Sequence, residues 1–304
     1  MKTTRTLVAL FLALVMMLSG IALADAPATD RAGNPIQLPE EVTRIISLAP
    51  ATTQIIEDLG MTDMLVAVDT QSPQYVEGLD ALPQFDMMAP DVEQIAALDA
   101  DIIFTSGMSY LDGNPYAALT QMGFCVIEIP SSDSIAGVQE DIIFTAACLG
   151  KEEEGRALAE GMQKTFDEIA AIGATIEERK TVLFEISALP YIYSFGSGTF
   201  LSEMLEIIGA DNVMADQISW IAVTEEAAVS ANPDVILTSV NYIENPVGEI
   251  LGRPGWEAVN AVANEEVYYI DNGASSLPNH HIVDALIQMA VAVYPEAYAD
   301  YAAE

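Results

Sequence analysis

From Arg44 onward the chain alternates short apolar runs with stretches of helical period. Arg44–Leu48 (RIISL), Met64–Val68, Asp101–Thr105 (DIIFT) and Phe124–Ile129 read as strands. Thr52–Leu59 and Pro115–Met122 read as helices stopped by Gly60 and Gly123, and Asp91–Leu98 and Ser134–Leu149 as two more. The second half repeats the alternation. Strands Thr181–Ile186, Tyr191–Ser194, Asp234–Thr238 and Glu266–Ile270 are separated by helices Thr199–Ile208, Thr224–Ala231 and His281–Val293. Strands interleaved with helices predict parallel sheets covered on both faces.

Between the halves, Lys151–Glu178 has no proline and is rich in Glu, Ala, Lys and Met. As a helix at ~1.5 Å per residue it spans about 40 Å, although Gly155, Gly161 and Gly173 count against an unbroken one. The expected fold is therefore α/β: two Rossmann-like lobes with parallel sheets joined by a single long backbone helix. The boundaries are an N-terminal extension at 25–43, a first lobe at 44–150, a bridging helix at 151–179 and a second lobe at 180–304.

Sliding the halves by 133 residues exposes an internal repeat. Asp91-Val92-Glu93 falls on Thr224-Glu225-Glu226, and Asp101–Ser106 (DIIFTS) on Asp234–Ser239 (DVILTS). In each copy a capping side chain, Asp91 or Thr224, opens a helix. Two residues later comes a Glu, where the helix dipole favours an anion. The helix then feeds a buried strand.

The first residues form an address. Lys2 and Arg5 precede the apolar run Leu7–Leu18, followed by Ala22-Leu23-Ala24. That is a secretory signal peptide over 1–24, cleaved near Ala24. Its apolar run falls short of the ~20 residues that cross a bilayer. No cysteine stands near the cleavage point, which closes the lipoprotein route. The protein is expected in the periplasm or outside the cell. There Cys125 and Cys148 can form a disulfide; the alternative is two buried thiols.

Composition narrows the function. Hydrophobic residues are 51% and charged residues 18%, enough to bury a core. The 46 Asp and Glu against 10 Lys and Arg give a net charge of −36. Such a surface repels nucleic acid and anionic lipid. No CxxC, HExxH or Walker-type loop occurs, and no metal site is expected. His280-His281, placed at a helix start, would point about 100° apart and not share an ion.

The ordered set of Arg44-Ile-Ile-Ser-Leu-Ala-Pro with Thr53, Ala89-Pro-Asp-Val-Glu-Gln-Ile-Ala-Ala-Leu, Trp220-x-x-Val-Thr-x-Glu226, Asn232-Pro-Asp-Val-Ile and Arg253-Pro-Gly-Trp256 resembles a known family. It is similar to the helical-backbone class of substrate-binding proteins of ABC importers for ferric siderophores, cobalamin and haem. The resemblance runs from about residue 42 to the end. It implies a shallow ligand cleft between two lobes, a stiff helical spine, no catalytic residue and no cofactor. It also implies a permease dimer with its ATPase as partner. Glu93 and Glu226 match the family's lobe-tip glutamates, which dock into arginine pockets on the permease. One carboxylate on each lobe suits a two-point clamp on a pseudo-symmetric partner. The protein is expected to act as a monomer.

Ligand residues in α/β units lie on loops at the carboxyl ends of strands. Candidates in the first lobe are Tyr75, Met87, Met88, Met108 and Tyr110. In the second they are Tyr191, Phe195, Trp220, Tyr242 and Arg253. Aromatics and methionines suit a large, flat or greasy chelate. Arg253 is the one basic residue expected at the cleft. Triply anionic ferric catecholates want several cations, so a neutral or cationic chelate, hydroxamate-like, fits better. A corrinoid is the alternative. Haem stays open because the resemblance puts Met88 where some haem-binding relatives carry an axial methionine, although Asn241-Tyr242 stands where a second ligand would be sought.

The rival class is a secreted carboxylate-dependent hydrolase, and a third reading is an adhesin on the same lobes. Ser197, in Phe195-Gly196-Ser197-Gly198-Thr199, does not fit the G-x-S-x-G nucleophile elbow. No spacing picks out a glycosidase pair among the many carboxylates.

Overall fold

The computed structural model describes residues 26–107 and 113–302. The expected signal peptide lies outside the described residues. The first lobe runs β1 (Ile45–Ser47), α1 (Pro50–Asp58), β2 (Leu65–Asp69), β3 (Gln84–Phe85), α2 (Val92–Ala97), β4 (Ile102–Thr105), α3 (Ala117–Gln121), β5 (Cys125–Glu128) and α4 (Ile135–Cys148). Its five strands are all parallel, in the order β3-β2-β1-β4-β5.

The linking helix is α5 (Glu152–Gly173), 22 residues without a break and shorter than the 151–179 expected. It ends where Thr175 returns both its amide (2.9 Å) and its hydroxyl (2.7 Å) to the Ile172 carbonyl. Gly155 and Gly173 serve close packing. A Cβ at Gly155 would stand 2.3 Å from that of Ala146 on α4, and one at Gly173 2.0 Å from the Ile207 carbonyl oxygen of the second lobe. The buried stripe Gly155, Ala159, Met162, Phe166, Ile169 and Gly173 follows the helical period down one face.

The second lobe continues with β6 (Thr181–Glu185), β7 (Ile192–Phe195), α6 (Phe200–Ile207), β8 (Asp211–Asn212), β9 (Trp220–Val223) and α7 (Glu225–Ala231). β10 (Val235–Thr238), α8 (Pro246–Leu251), α9 (Asn260–Ala263), β11 (Val267–Tyr269), α10 (Asn272–Ser276) and α11 (Ile282–Val293) complete it. Four strands form a parallel sheet, β11-β10-β6-β8. The expectation of parallel strands throughout fails at Ile192–Phe195. This strand leaves the sheet and pairs antiparallel with β9, Phe195 opposite Trp220.

Strand alternation distributes the core. Ile45, Val182 and Leu237 point to one shared cluster that also takes Phe166 and Ile169 of α5, so apolar packing runs through both lobes. Ile46 and Ile103 face a separate cluster under α2 and α3. Leu183 and Ile236 face another, around Trp256. Burial on both faces explains why these strands read as continuous apolar runs. The extension at 26–43 is not a loose tail. Buried Asp30 accepts from the amide of Glu128 on edge strand β5 (3.1 Å), and Arg31 pairs with Asp141 of α4 (2.5 Å).

Candidate functional site

In each sheet the connections leave the two central strands in opposite directions, which opens a crevice at their carboxyl ends. In the first lobe that point lies between β1 and β4, at Ala49-Pro50 and Ser106. In the second it lies between β6 and β10, at Ser187 and Ser239–Tyr242. A small apolar cavity of about 90 Å³ marks the first crevice. Ala49, Pro50, Met87 and Ser106 line it from one side, and Ser276-Leu277-Pro278 of the second lobe close it from the other. A wider depression, about 650 Å³, runs from Pro35–Pro39 to Asp99–Asp101. It sits at the opposite, amino ends of the strands and is open and polar, so it is not the cleft.

A buried chain of hydroxyls shapes the first wall. Thr53 Oγ1 donates to Ser47 Oγ (2.8 Å), Ser72 Oγ stands 2.9 Å from Thr53 Oγ1, and Ser72 also bonds Asp69. Asp69 further accepts from the amides of Gln71 (2.7 Å) and Ser72 (3.0 Å). Burial pushes its carboxyl above the ordinary value against these bonds. The network fixes the turn that carries Tyr75. That half-buried ring lies against Gly273, where a Cβ would come within 2.9 Å of it, and its hydroxyl reaches Asn272 (3.4 Å). Tyr75 therefore touches the other lobe. Met87 lines the cavity, while Met88 is 48% exposed. Met108 and Tyr110 lie outside the described residues.

Two expectations for the second wall are corrected. Arg253 is not a cleft cation: it is buried, donating to both Glu185 oxygens (2.7 and 2.8 Å) and to Glu249 (2.5 Å), with its guanidinium 4.8 Å above the Trp256 ring. Burial opposes its charge, but the two carboxylates outweigh that and hold the guanidinium more firmly protonated than usual. Burial pushes the Glu185 carboxyl up despite Arg253. Phe195 is likewise no contact residue. It is fully buried against Phe184, at 5.6 Å between ring centroids.

What the wall offers instead is tyrosine. Tyr191 is 81% exposed and Tyr242 66% exposed. They stand on two loops that meet: Tyr242, after β10, accepts through its Oη from the Ala188 amide (2.9 Å) of the β6–β7 loop that carries Tyr191, where Ser187 Oγ donates to the Tyr191 carbonyl (2.7 Å). The loop of Tyr191 follows directly on Glu185, the last residue of β6, so the buried Arg253 pair anchors its base. Trp220 is half-buried, edge-on to Phe195 and Phe200, and its Nε1 reaches Asp133 of the first lobe (3.3 Å). Tyr193, absent from the expectations, is 41% exposed on β7. Its signal was the alternation of that strand.

Away from the crevices, Asn279 is buried and donates to Gln54 of α1 (2.7 Å). His280 and His281 precede α11 rather than belonging to it, so the expected divergence of their rings fails. Both Nε2 atoms meet Asp58 Oδ2, at 2.8 and 3.0 Å, and the rings lie 4.3 Å apart. Bonds from His280, then His281, hold the Asp58 carboxyl well below the usual range. Asp284 and then Asp58 raise His281 to about 9. Cys125 and Cys148 are free thiols, and burial pushes them up to about 11 and about 12. The two are not bridged in this structure; Cys148 is buried and Cys125 half-buried.

Glu93 and Glu226 are both exposed, at the second position of α2 and of α7. Asp91 accepts from the Gln94 amide (3.0 Å) and Thr224 from the Ala227 amide (3.2 Å), so the caps correspond as well. Glu225, by contrast, accepts from Trp256 Nε1 (2.9 Å). Among the described residues no helix is long and apolar enough to cross a membrane.

The chain shares this architecture with proteins already known. An uncharacterized ABC transporter substrate-binding lipoprotein of Bacillus subtilis, YvrC, is 29% identical over 88% of this chain and 85% of its own. The crystal structure of a possible iron-binding periplasmic solute-binding protein of Staphylococcus epidermidis superposes with a TM-score of 0.73 at 25% identity, covering 84% of this chain and all of that one. The periplasmic vitamin B12 binding protein BtuF of Vibrio cholerae superposes with a TM-score of 0.69 at 25% identity, covering 84% and 98%. The family model described as periplasmic binding protein matches residues 45–274, from the first residue of β1 into α10. The chain thus belongs to the periplasmic binding protein family, as a substrate-binding protein of the ABC-importer type.

Proposed function

We propose that the protein captures an iron-siderophore-type chelate, neutral or cationic and hydroxamate-like, and delivers it to the permease dimer of an ABC importer powered by its ATPase. The ligand is cargo, and the protein works as an exported monomer without catalysis. One observation carries the choice of ligand: each of the eight basic side chains among the described residues is already ion-paired or hydrogen-bonded within the protein. The cleft therefore has no cation to offset the desolvation of a triply anionic catecholate. Exposed Tyr191, Tyr242 and Met88 supply flat and polarizable surface instead. A corrinoid obeys the same charge argument, and the vitamin B12 binding protein among the relatives favours it as the second reading. Exposed Met88 keeps haem in the panel.

Trp220 at the cleft makes fluorescence titration the direct test, because Trp256 is fully buried. The purified chain is titrated with ferric hydroxamates, ferric catecholates, cobalamin and haemin. Saturable quenching by a hydroxamate is expected; preference for a catecholate refutes the charge argument. Hydrolysis of a glycoside or ester would support the rival enzyme.

Glu93 and Glu226 are proposed as the docking pair, supported by their matched, exposed places on two equivalent helices. Reversing both charges is expected to abolish uptake through the cognate importer while ligand affinity stays within about twofold. Undiminished uptake removes them from the interface.

A further inference from the structure

We propose that Asp58, His280 and His281 bind one divalent transition-metal ion, of the zinc, nickel or copper kind, across the junction of the two lobes. Their three donor atoms lie within 4.8 Å of one another. Metal bonds to imidazole and carboxylate run about 2.0–2.2 Å, so tetrahedral donor pairs stand roughly 3.3–3.5 Å apart. Asp58 Oδ2, now 2.8 and 3.0 Å from the rings, has only to retreat by about half an ångström to admit the ion. Two imidazoles and one carboxylate suit zinc, nickel or copper rather than calcium or magnesium, which prefer all-oxygen shells.

The surroundings agree. Asp284 Oδ2 stands 3.5 Å from His281 Nδ1, the place of a carboxylate that orients a metal-binding imidazole and leaves Nε2 to the ion. His280 Nδ1 is buried without a hydrogen-bond partner, so once an ion replaces the contact between Nε2 and Asp58 the ring proton can reside on Nδ1 and leave the Nε2 lone pair to the metal. A chain of net charge −36 draws cations to its surface.

The location separates this site from the cargo cleft. Asp58 ends α1, whose first residue Pro50 lines the cavity, and nine helical residues put about 12 Å between them. Asp58 belongs to the first lobe and both histidines to the second. A bound ion is therefore a brace on lobe orientation, and the inference does not depend on which chelate the cleft accepts.

The test uses the full chain without a polyhistidine tag, stripped of metal and titrated with Zn²⁺ in excess Mg²⁺, which saturates scattered carboxylates. Calorimetry is expected to show saturable binding of one ion per chain and a raised Tm. His281→Gln and Asp58→Asn are each expected to weaken binding at least tenfold, and Asp284→Asn by about tenfold. The chain has only two histidines, so imidazole NMR signals read the site in unmodified protein even if a variant fails to fold. Both rings are expected to shift with Zn²⁺. Unshifted rings, or Zn²⁺ binding that survives His281→Gln undiminished, overturn the proposal.

Discussion

Asp101 in the first lobe and Asp234 in the second stand just ahead of strands β4 and β10, 133 residues apart. Asp101 accepts from the Thr43 amide (2.7 Å), the Thr43 hydroxyl (2.9 Å) and the Arg44 amide (2.8 Å). Asp234 accepts from the Thr181 amide (3.0 Å) and hydroxyl (2.8 Å). Each carboxylate staples the start of the neighbouring central strand, β1 or β6. The lobes also share the capped helix, its exposed glutamate and the buried strand. They diverge at the cleft wall. The first lobe uses a buried hydroxyl chain under Tyr75; the second uses the Arg253–Glu185 ion pair under Tyr191 and Tyr242, with an antiparallel ribbon beside it. The repeated parts set the frame, and the unrepeated parts set what the cleft can hold.

The comparison breaks most visibly at Arg253. Arg253→Met leaves Glu185 buried without its partner and is expected to cost about 3–5 kcal/mol in urea unfolding. Adding Glu185→Leu should recover much of that loss, since both charges are then gone. A single variant as stable as wild type would mean that the pair does not hold the wall.

The staples come next. Asp101→Ala and Asp234→Ala are each expected to cost about 1–3 kcal/mol, because hydrogen bonds to a charged acceptor are lost. Similar values sharpen the equivalence of the lobes, whereas a cost at one site alone breaks it. Bonds from Thr43 and Thr181, respectively, hold both carboxyls below their ordinary range. Their contribution is thus complete above the unfolded pKa of about 4 and lost as pH falls through the folded value. Wild type and variants should converge in stability in acid.

The caps give the smallest effect. Asp91→Ala and Thr224→Ala are each expected to lower stability by about 0.5–2 kcal/mol, read as a drop in Tm. No change at either position would show that these two capped helices are held by packing alone.

Much of the frame was legible in the sequence. DIIFT and DVILT announce buried strands because both faces are covered, and the caps of α2 and α7 follow from residue type alone. Other features depend on partners distant in the chain. Ile192–Phe195 reads the same whether it pairs parallel or antiparallel, and only Trp220–Val223 decides. Arg253 looks available until Glu185, 68 positions earlier, claims it. His280 and His281 look divergent because the helix was expected to begin one residue too soon, and because Asp58 sits 222 positions from the first of them. Of the expected contact residues, the exposed tyrosines Tyr191 and Tyr242 remain at the surface, while Phe195 and Arg253 went to the interior.

Gly155 and Gly173 press the ends of α5 against opposite lobes, the first on Ala146 and the second on the Ile207 carbonyl. A rod gripped at both tips transmits torque instead of bending. Any rotation of one half about that rod has to disturb a glycine contact at one tip or the other, so the two halves are coupled through the helix ends.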